Sequence, residues 1–159
     1  MYEARITNDA TEAGAVSVQC AVAPRVSLAL QQNAVPILRE LTVVNDTDAP
    51  LADLRLELRS DPGFCQPGTL HIDHIGARQS LHIENLKVDL SHTFLSEVQE
   101  ATRGLISLRL FAPAQAVLSE TTKSIDLLAA NEWGGVTDLP EILAAFVLPN
   151  DPAVARILK

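Results

Sequence analysis

The sequence predicts a mostly β protein: an antiparallel immunoglobulin-like β-sandwich of about seven or eight strands, followed by a short C-terminal helical connector. Short apolar runs alternate with clusters of Gly, Pro, Asn and Asp, and no crossover helices separate them. The one complete helical stripe begins near residue 139. We expect a sandwich domain over residues 1–130 and a tryptophan turn with a helical connector over 131–159. A jelly roll or a small barrel is the alternative arrangement of the same strands.

Four strands are expected in the first half of the chain. Apolar and β-branched residues between positions 15 and 30 predict two strands that are broken at Pro24. A third strand covers 37–45, before a dense turn cluster. The fourth has the cleanest alternation in the chain, which is typical of a half-buried antiparallel strand. Its two faces are Leu54, Leu56 and Leu58 inside, and Arg55, Glu57 and Arg59 outside.

The second half predicts four more strands and one helical turn. A fifth strand begins at 70–72, and a sixth covers 81–90. Because the apolar parity slips by one residue within 81–90, we expect a β-bulge there. Residues 94–99 predict a single helical turn. Alternating apolar residues over 106–110 predict the seventh strand, and residues 121–128 predict the eighth.

The C-terminal segment predicts an interface. Residues 138–141 read as a capping box, and the apolar stripe that follows is a full helix face ending at Pro149. A second stripe starts after Pro152 and spans roughly two turns, which is too short for a stable isolated helix. We therefore expect a missing downstream domain, although Trp133 and the first stripe could instead cover the end of the sandwich. The candidate interface residues are Trp133, Leu139, Ile142, Leu143, Phe146, Val147, Val154, Ile157 and Leu158.

Composition narrows the classes of partner. A length of 159 residues fits one domain with a proper core, and the formal net charge is -8. That charge and the scattered arginines oppose contact with a phosphate backbone, so we expect no direct binding of nucleic acid. Two cysteines are too few for a disulfide framework, and no apolar run approaches ~18 residues. We expect a cytoplasmic chain with no membrane contact.

Residue patterns that carry chemistry are not found. His71 and His74 are three apart on a predicted strand, so they face opposite sides of the sheet and do not chelate one ion together. Neither a nucleophile elbow nor a phosphate-binding P-loop occurs in the sequence. We therefore expect no catalytic, cofactor-binding or metal-binding residues in this chain.

Two groups of residues resemble a known family. The first is the strand–turn–strand pattern in LTVVND and LADLRLELRSDPGF, and the second is NEWGG followed by AAFVLPNDPAVARIL. Over roughly residues 15–158 the chain resembles the N-terminal segment of very large bacterial proteins that are described as superfamily-I DNA helicases with a domain of unknown function. The matching positions are Leu41, Asn45, Leu54, Leu56, Asp61, Pro62 and Phe64, then Glu132, Trp133 and Gly135, then Leu143, Ala144, Ala145, Phe146, Val147, Pro149, Asn150 and Pro152.

The resemblance implies a role for the chain. In that family a β-sandwich-like region precedes the ATPase motor, whose motifs lie outside this sequence. The chain is then expected to be a non-catalytic accessory or interaction domain, with the downstream ATPase domain of the same polypeptide or another protein as its partner. A free-standing sugar- or peptide-binding sandwich is the main alternative, and an enzyme with an unrecognised site is a third.

Overall fold

The computed structural model describes residues 15–83 and 86–132, and these form a β-rich fold of two sheets with two short helices. Apart from positions 131 and 132, the predicted connector over 131–159 lies outside the described residues. Its nine candidate interface residues lie outside them as well. The elements in chain order are β1 (Val16–Val22), β2 (Arg25–Val26), α1 (Leu28–Gln32), β3 (Leu38–Asn45), β4 (Leu51–Asp61), β5 (Gly68–Ile75), β6 (Gln79–Ile83), α2 (His92–Glu97), β7 (Thr102–Phe111) and β8 (Val117–Leu127).

The strands divide between a three-stranded sheet and a five-stranded sheet. The smaller sheet has the order β1-β3-β6, and the larger has the order β2-β8-β7-β4-β5. Neighbouring strands are antiparallel, except that β2 pairs in parallel with β8 through Arg25 and Asp126 and through Val26 and Leu127. The expectation of a purely antiparallel arrangement is therefore wrong at this one short pair.

The hydrophobic core lies between the two sheets. The alternation predicted for β4 is confirmed, because Leu54, Leu56 and Leu58 are all buried, with 1%, 2% and 5% exposure. Aliphatic residues of β7 and β3 complete the centre, and the fully buried Phe64 is its largest side chain. A Cβ atom built on Gly104 of β7 would lie 2.8 Å from Phe64 Cε1, so this glycine makes room for the ring.

Asn45 fixes the end of β3 to the neighbouring turns. Its side chain is fully buried, and its amide donates to the carbonyl oxygens of Ala49 (2.9 Å) and Gly76 (2.9 Å). Its Oδ1 accepts hydrogen bonds from the backbone and the hydroxyl of Thr47. A buried amide with its donors and acceptor engaged stabilises one arrangement of these turns.

Two local predictions are wrong. Residues 28–32 form α1 instead of continuing a strand, because the Ser27 hydroxyl accepts a hydrogen bond from the Leu30 amide and caps a helix there. The sixth strand, expected over 81–90, ends at Ile83 after pairing with β3 in unbroken register, and the expected bulge falls at residues 84 and 85, which lie outside the described residues. The helical turn at 94–99 corresponds to α2.

Candidate interaction site

The two lateral sides of the molecule differ in how their strand edges are covered. On what we name the closed side, β1 lies beside β8. The Val18 amide donates to Ser119 Oγ (3.2 Å), and Thr121 Oγ1 donates to the Val18 carbonyl oxygen (2.6 Å). Hydroxyl side chains of β8 thus satisfy backbone groups of β1 that have no strand partner on that side. This closure protects the β1 edge from pairing with another chain.

On the open side, the ends of both sheets are formed by β5 and β6. β5 pairs with β4 on one side, from Leu51 and Ile75 to Leu58 and Gly68. Within the described residues, no strand pairs with the other side of β5, and no side chain closes it by a hydrogen bond to the backbone of 68–74. Residues 86–89 flank the start of β5, and beyond them the stretch 71–74 presents unpaired N–H and C=O groups, which are a template for another strand.

A slot with an apolar floor lies beside the start of this edge. Its volume is about 120 Å³. Leu56, Leu58 and Leu70 line it from the sheet, and residues 86–89 form the opposite wall. The wall is fixed where the Gln66 amide donates to the Asp89 carbonyl oxygen (2.8 Å). At its rim, the ion pair between Lys87 Nζ and Asp89 (2.9 Å) raises the pKa of the lysine.

On β5, an exposed basic side chain and an exposed acidic side chain flank a buried apolar one. His71 and Asp73 are exposed and flank Ile72, which is buried at 5% exposure. His71 is paired across the sheet with Arg55, so a basic row reaches the edge at this position. Asp73 lies between Ile72 and His74, opposite the stretch of β4 that contains the exposed Asp53. An acidic row therefore follows the basic row along the edge.

The outer face of the five-stranded sheet carries arginines that are engaged with acids. The guanidinium groups of Arg55 and Arg59 each lie 3.3 Å from a carboxylate oxygen of Glu57. Arg109 Nε is 3.0 Å from Glu120 Oε1. The Arg55 guanidinium carbon also lies 4.9 Å from the centre of the Phe111 ring. These contacts describe a surface with both signs of charge interspersed.

Both cysteines have free thiols. Burial raises the pKa of the Cys20 thiol, and nearby Lys123 opposes this only in part. Burial also raises the pKa of Cys65, against a smaller opposing effect of its hydrogen bond with Ser60. A thiol with a raised pKa is protonated at neutral pH and is a poor nucleophile.

The histidines considered for a metal site are exposed side chains of β5. His71 and His74 both lie on the open side, whereas His82 on β6 interacts through Nδ1 with Thr42 Oγ1 (3.0 Å). Over 15–83 and 86–132, no group of three or more His, Cys, Asp or Glu side chains is arranged to hold a metal ion. Sequence reasoning identified β5 as a strand but missed its place at an edge. That place depends on strand order, for which the sequence has no local signal.

Comparison with models of known protein families gives no match, and a search of curated proteins gives none either. In the part of the chain that the structure describes, no helix is both long enough and apolar enough to cross a membrane.

Proposed function

We propose that this chain is a non-catalytic accessory domain through which a helicase-type ATPase of a DNA-processing bacterial protein contacts a protein partner. The family resemblance described above supports the helicase-type parent. In that setting, the downstream ATPase domain of the same polypeptide is the first partner. The strand edge of β5 supports the proposed contact with a partner.

The proposed domain type is an immunoglobulin-like sandwich, and the order of the strands supports it. In immunoglobulin domains, the first two strands join two middle strands in one sheet, while the third strand joins the last two strands in the other. Here β1 and β3 join β6 in the smaller sheet, whereas in the larger one β4 pairs with β7 and β7 pairs with β8. The short parallel pair of β2 with β8 results when the first strand divides between the two sheets.

The observation that carries the interaction role is the uncovered edge of β5. On the opposite side of the molecule two hydroxyl side chains close β1, whereas within the described residues no side chain forms a hydrogen bond with the backbone of 68–74. Natural sheets usually blunt or cover an edge that has no partner. A long edge beside an apolar slot is therefore the surface best suited to receive a strand from another protein segment.

The slot favours one alternative function, a free-standing module that binds extended peptides. A peptide added to β5 would place alternate side chains towards the space between the sheets, where Leu56, Leu58 and Leu70 form an apolar floor. The slot volume of about 120 Å³ suits one aliphatic side chain. Nothing in the described residues favours a sugar over a peptide at this position.

Two measurements test the accessory role. The reading frame that encodes the chain should continue beyond Lys159 into a P-loop, G-x-x-x-x-G-K-[ST], because the proposed parent is an ATPase. The purified 159-residue chain should neither hydrolyse ATP nor cut DNA, and it should not bind duplex DNA at physiological salt. A reading frame that stops without a motor would favour the free-standing peptide-binding module. Turnover that changes with a point substitution in this chain would contradict the non-catalytic role.

A further inference from the structure

We infer that the open edge of β5 pairs antiparallel with β5 of a second copy of this chain, with Ile72 on the two-fold axis. This inference rests on the proposed function only in taking β5 as the interaction edge. Two copies related by a two-fold axis present the same surface to each other, so the edge must be complementary to itself. Two antiparallel strands meet this condition when the residue on one side of the axis carries a group that attracts the group of the residue on the other side.

The residues that flank Ile72 meet the condition. With Ile72 opposite its own copy, His71 lies opposite Asp73 of the second chain, and Asp73 lies opposite its His71. An imidazole N–H donates to a carboxylate in either protonation state, so this pairing does not depend on a charged histidine. The pair forms twice because of the symmetry, and both members are exposed in the isolated chain.

The charges of the neighbouring strand extend this complementarity. Arg55 is paired with His71 on the β4 side, so the basic row of one copy continues into the acidic row of the other. In the same way, Asp53 of β4 extends the acidic row that Asp73 begins at the edge. In the dimer, each positive row therefore meets a negative row across the axis, and opposite-charge cross-strand neighbours stabilise a sheet.

The adjacent symmetric register is disfavoured by the same charges. If His71 lay on the axis, it would face His71 of the second copy. The basic row of Arg55 and His71 in one chain would then meet the same basic row of the other chain. That register would leave Asp73 opposite Thr69, without a basic partner. The sequence of the edge thus selects the register centred on Ile72.

Edge pairing buries little area, so we expect a weak dimer with a dissociation constant between about 10 µM and 1 mM. The net charge of -8 on each copy opposes association at low salt. Measurements therefore belong at about 0.15 M salt, where charges farther apart than about 8 Å are screened. The direct cross-strand pairs lie well within that distance.

Sedimentation equilibrium of the 159-residue chain, from low micromolar concentration to about 1 mM, tests the inference. His71→Asp places an aspartate opposite Asp73 twice, and it should weaken the dimer by about tenfold or more. Asp73→Lys places a lysine opposite His71 twice, and it should weaken the dimer in the same way. The double variant with both substitutions restores an acid opposite a base, and its dimer should return to at least the wild-type affinity.

The single variants are not expected to harm the fold. The aspartate introduced at 71 lies beside Arg55, and the lysine introduced at 73 lies beside Asp53, so each is favourable within its own sheet. His92→Asp on α2 and Glu100→Lys make the same changes in net charge at exposed positions far along the chain from β5, and both should dimerise like the wild type.

Three results would overturn the inference. They are a wild-type chain that remains monomeric at about 1 mM, a dimer unaffected by both single variants, and a double variant as weak as the singles. A monomeric wild type would mean that β5 is available to pair with a strand of another protein. It would not affect the accessory role, because that role is decided by the reading frame and by the missing turnover.

Discussion

The closed side and the open side of the molecule differ in whether side chains satisfy the backbone groups of an edge strand. On the closed side, β1 has no strand partner other than β3 within 15–83 and 86–132, yet Ser119 and Thr121 of β8 form hydrogen bonds with its backbone. On the open side, β5 has the same kind of free edge, and among the described residues a side chain bonds only to its last residue, where Asn45 Nδ2 donates to the Ile75 carbonyl oxygen (3.4 Å). Among the described residues, hydroxyl side chains therefore close the backbone of β1, and none closes residues 68–74 of β5.

Both sides depend on the same part of the hydrophobic core, the buried face of β4 and β7. Both edges are held in place by this centre, so damage to it should remove the distinction between them. Damage to one side alone should leave the other intact. The predictions below separate these cases in decreasing order of effect.

Leu56→Asp should unfold the domain. Leu56 is 2% exposed and pairs with Leu110 of β7 and with Leu70 of β5, so an aspartate there would be a buried charge without a partner. Burial of such a charge costs several kcal/mol, which is comparable with the whole stability of a small domain. Circular dichroism during thermal unfolding measures the loss. Thr122→Asp on the exposed face of β8 is the control, and a Leu56→Asp protein that melts within a degree of the wild type would refute the assignment of this face to the core.

Gly104→Ala should destabilise the domain by about 1–3 kcal/mol, because the new methyl group would overlap Phe64. Phe64 lies just before β5, and its carbonyl oxygen accepts a hydrogen bond from the Ser91 amide. The effect should therefore loosen the base of the open side. Denaturant unfolding measures it.

Gly68→Ala is the matched control for that substitution. At Gly68 the nearest heavy atom to an added Cβ is Leu58 Cβ at 3.9 Å, an ordinary contact. Its effect should stay within about 0.5 kcal/mol. Equal effects of the two substitutions would mean that Phe64 does not pack closely against Gly104.

Thr121→Val should destabilise the closed side by about 1 kcal/mol, because it removes the hydroxyl that donates to the Val18 carbonyl oxygen while keeping the side-chain shape. The neighbouring Thr122 is exposed, so Thr122→Val should have little effect. Chemical denaturation of the two variants compares them directly. If they are equally stable, the hydroxyl of Thr121 contributes nothing to the closure of β1.

The parts of this account that the sequence predicts are those with a local physical signal. Strict alternation placed Leu54, Leu56 and Leu58 in the core, because a strand between a core and solvent requires that period. The helix at 28–32 was missed, since alternation in so short a segment does not distinguish a strand from a single capped turn. The sixth strand was expected to reach residue 90 for a similar reason, whereas β6 ends at Ile83.

Strand order lies beyond such signals. The residues of β5 alternate like those of any half-buried strand, and their position at an edge follows only from which strands pair. The Val18 amide donates to Ser119 Oγ, and Thr121 Oγ1 donates to the Val18 carbonyl oxygen. These residues are about a hundred positions apart, so no local sequence pattern predicts the two hydrogen bonds. The candidate interface predicted at Trp133 and along 139–158 lies outside the described residues and remains a prediction.

Amide hydrogen exchange in a dilute sample, at low micromolar concentration where the proposed dimer is dissociated, tests the contrast between the two sides most directly. The Val18 amide should exchange slowly because it donates to Ser119 Oγ, although no strand pairs with that side of β1. Along β5, the amides that point away from β4 should exchange rapidly, in alternation with protected amides that bond to β4. Uniform strong protection along β5 in the dilute sample, or a Val18 amide that exchanges as fast as the outer amides of β5, would contradict the account.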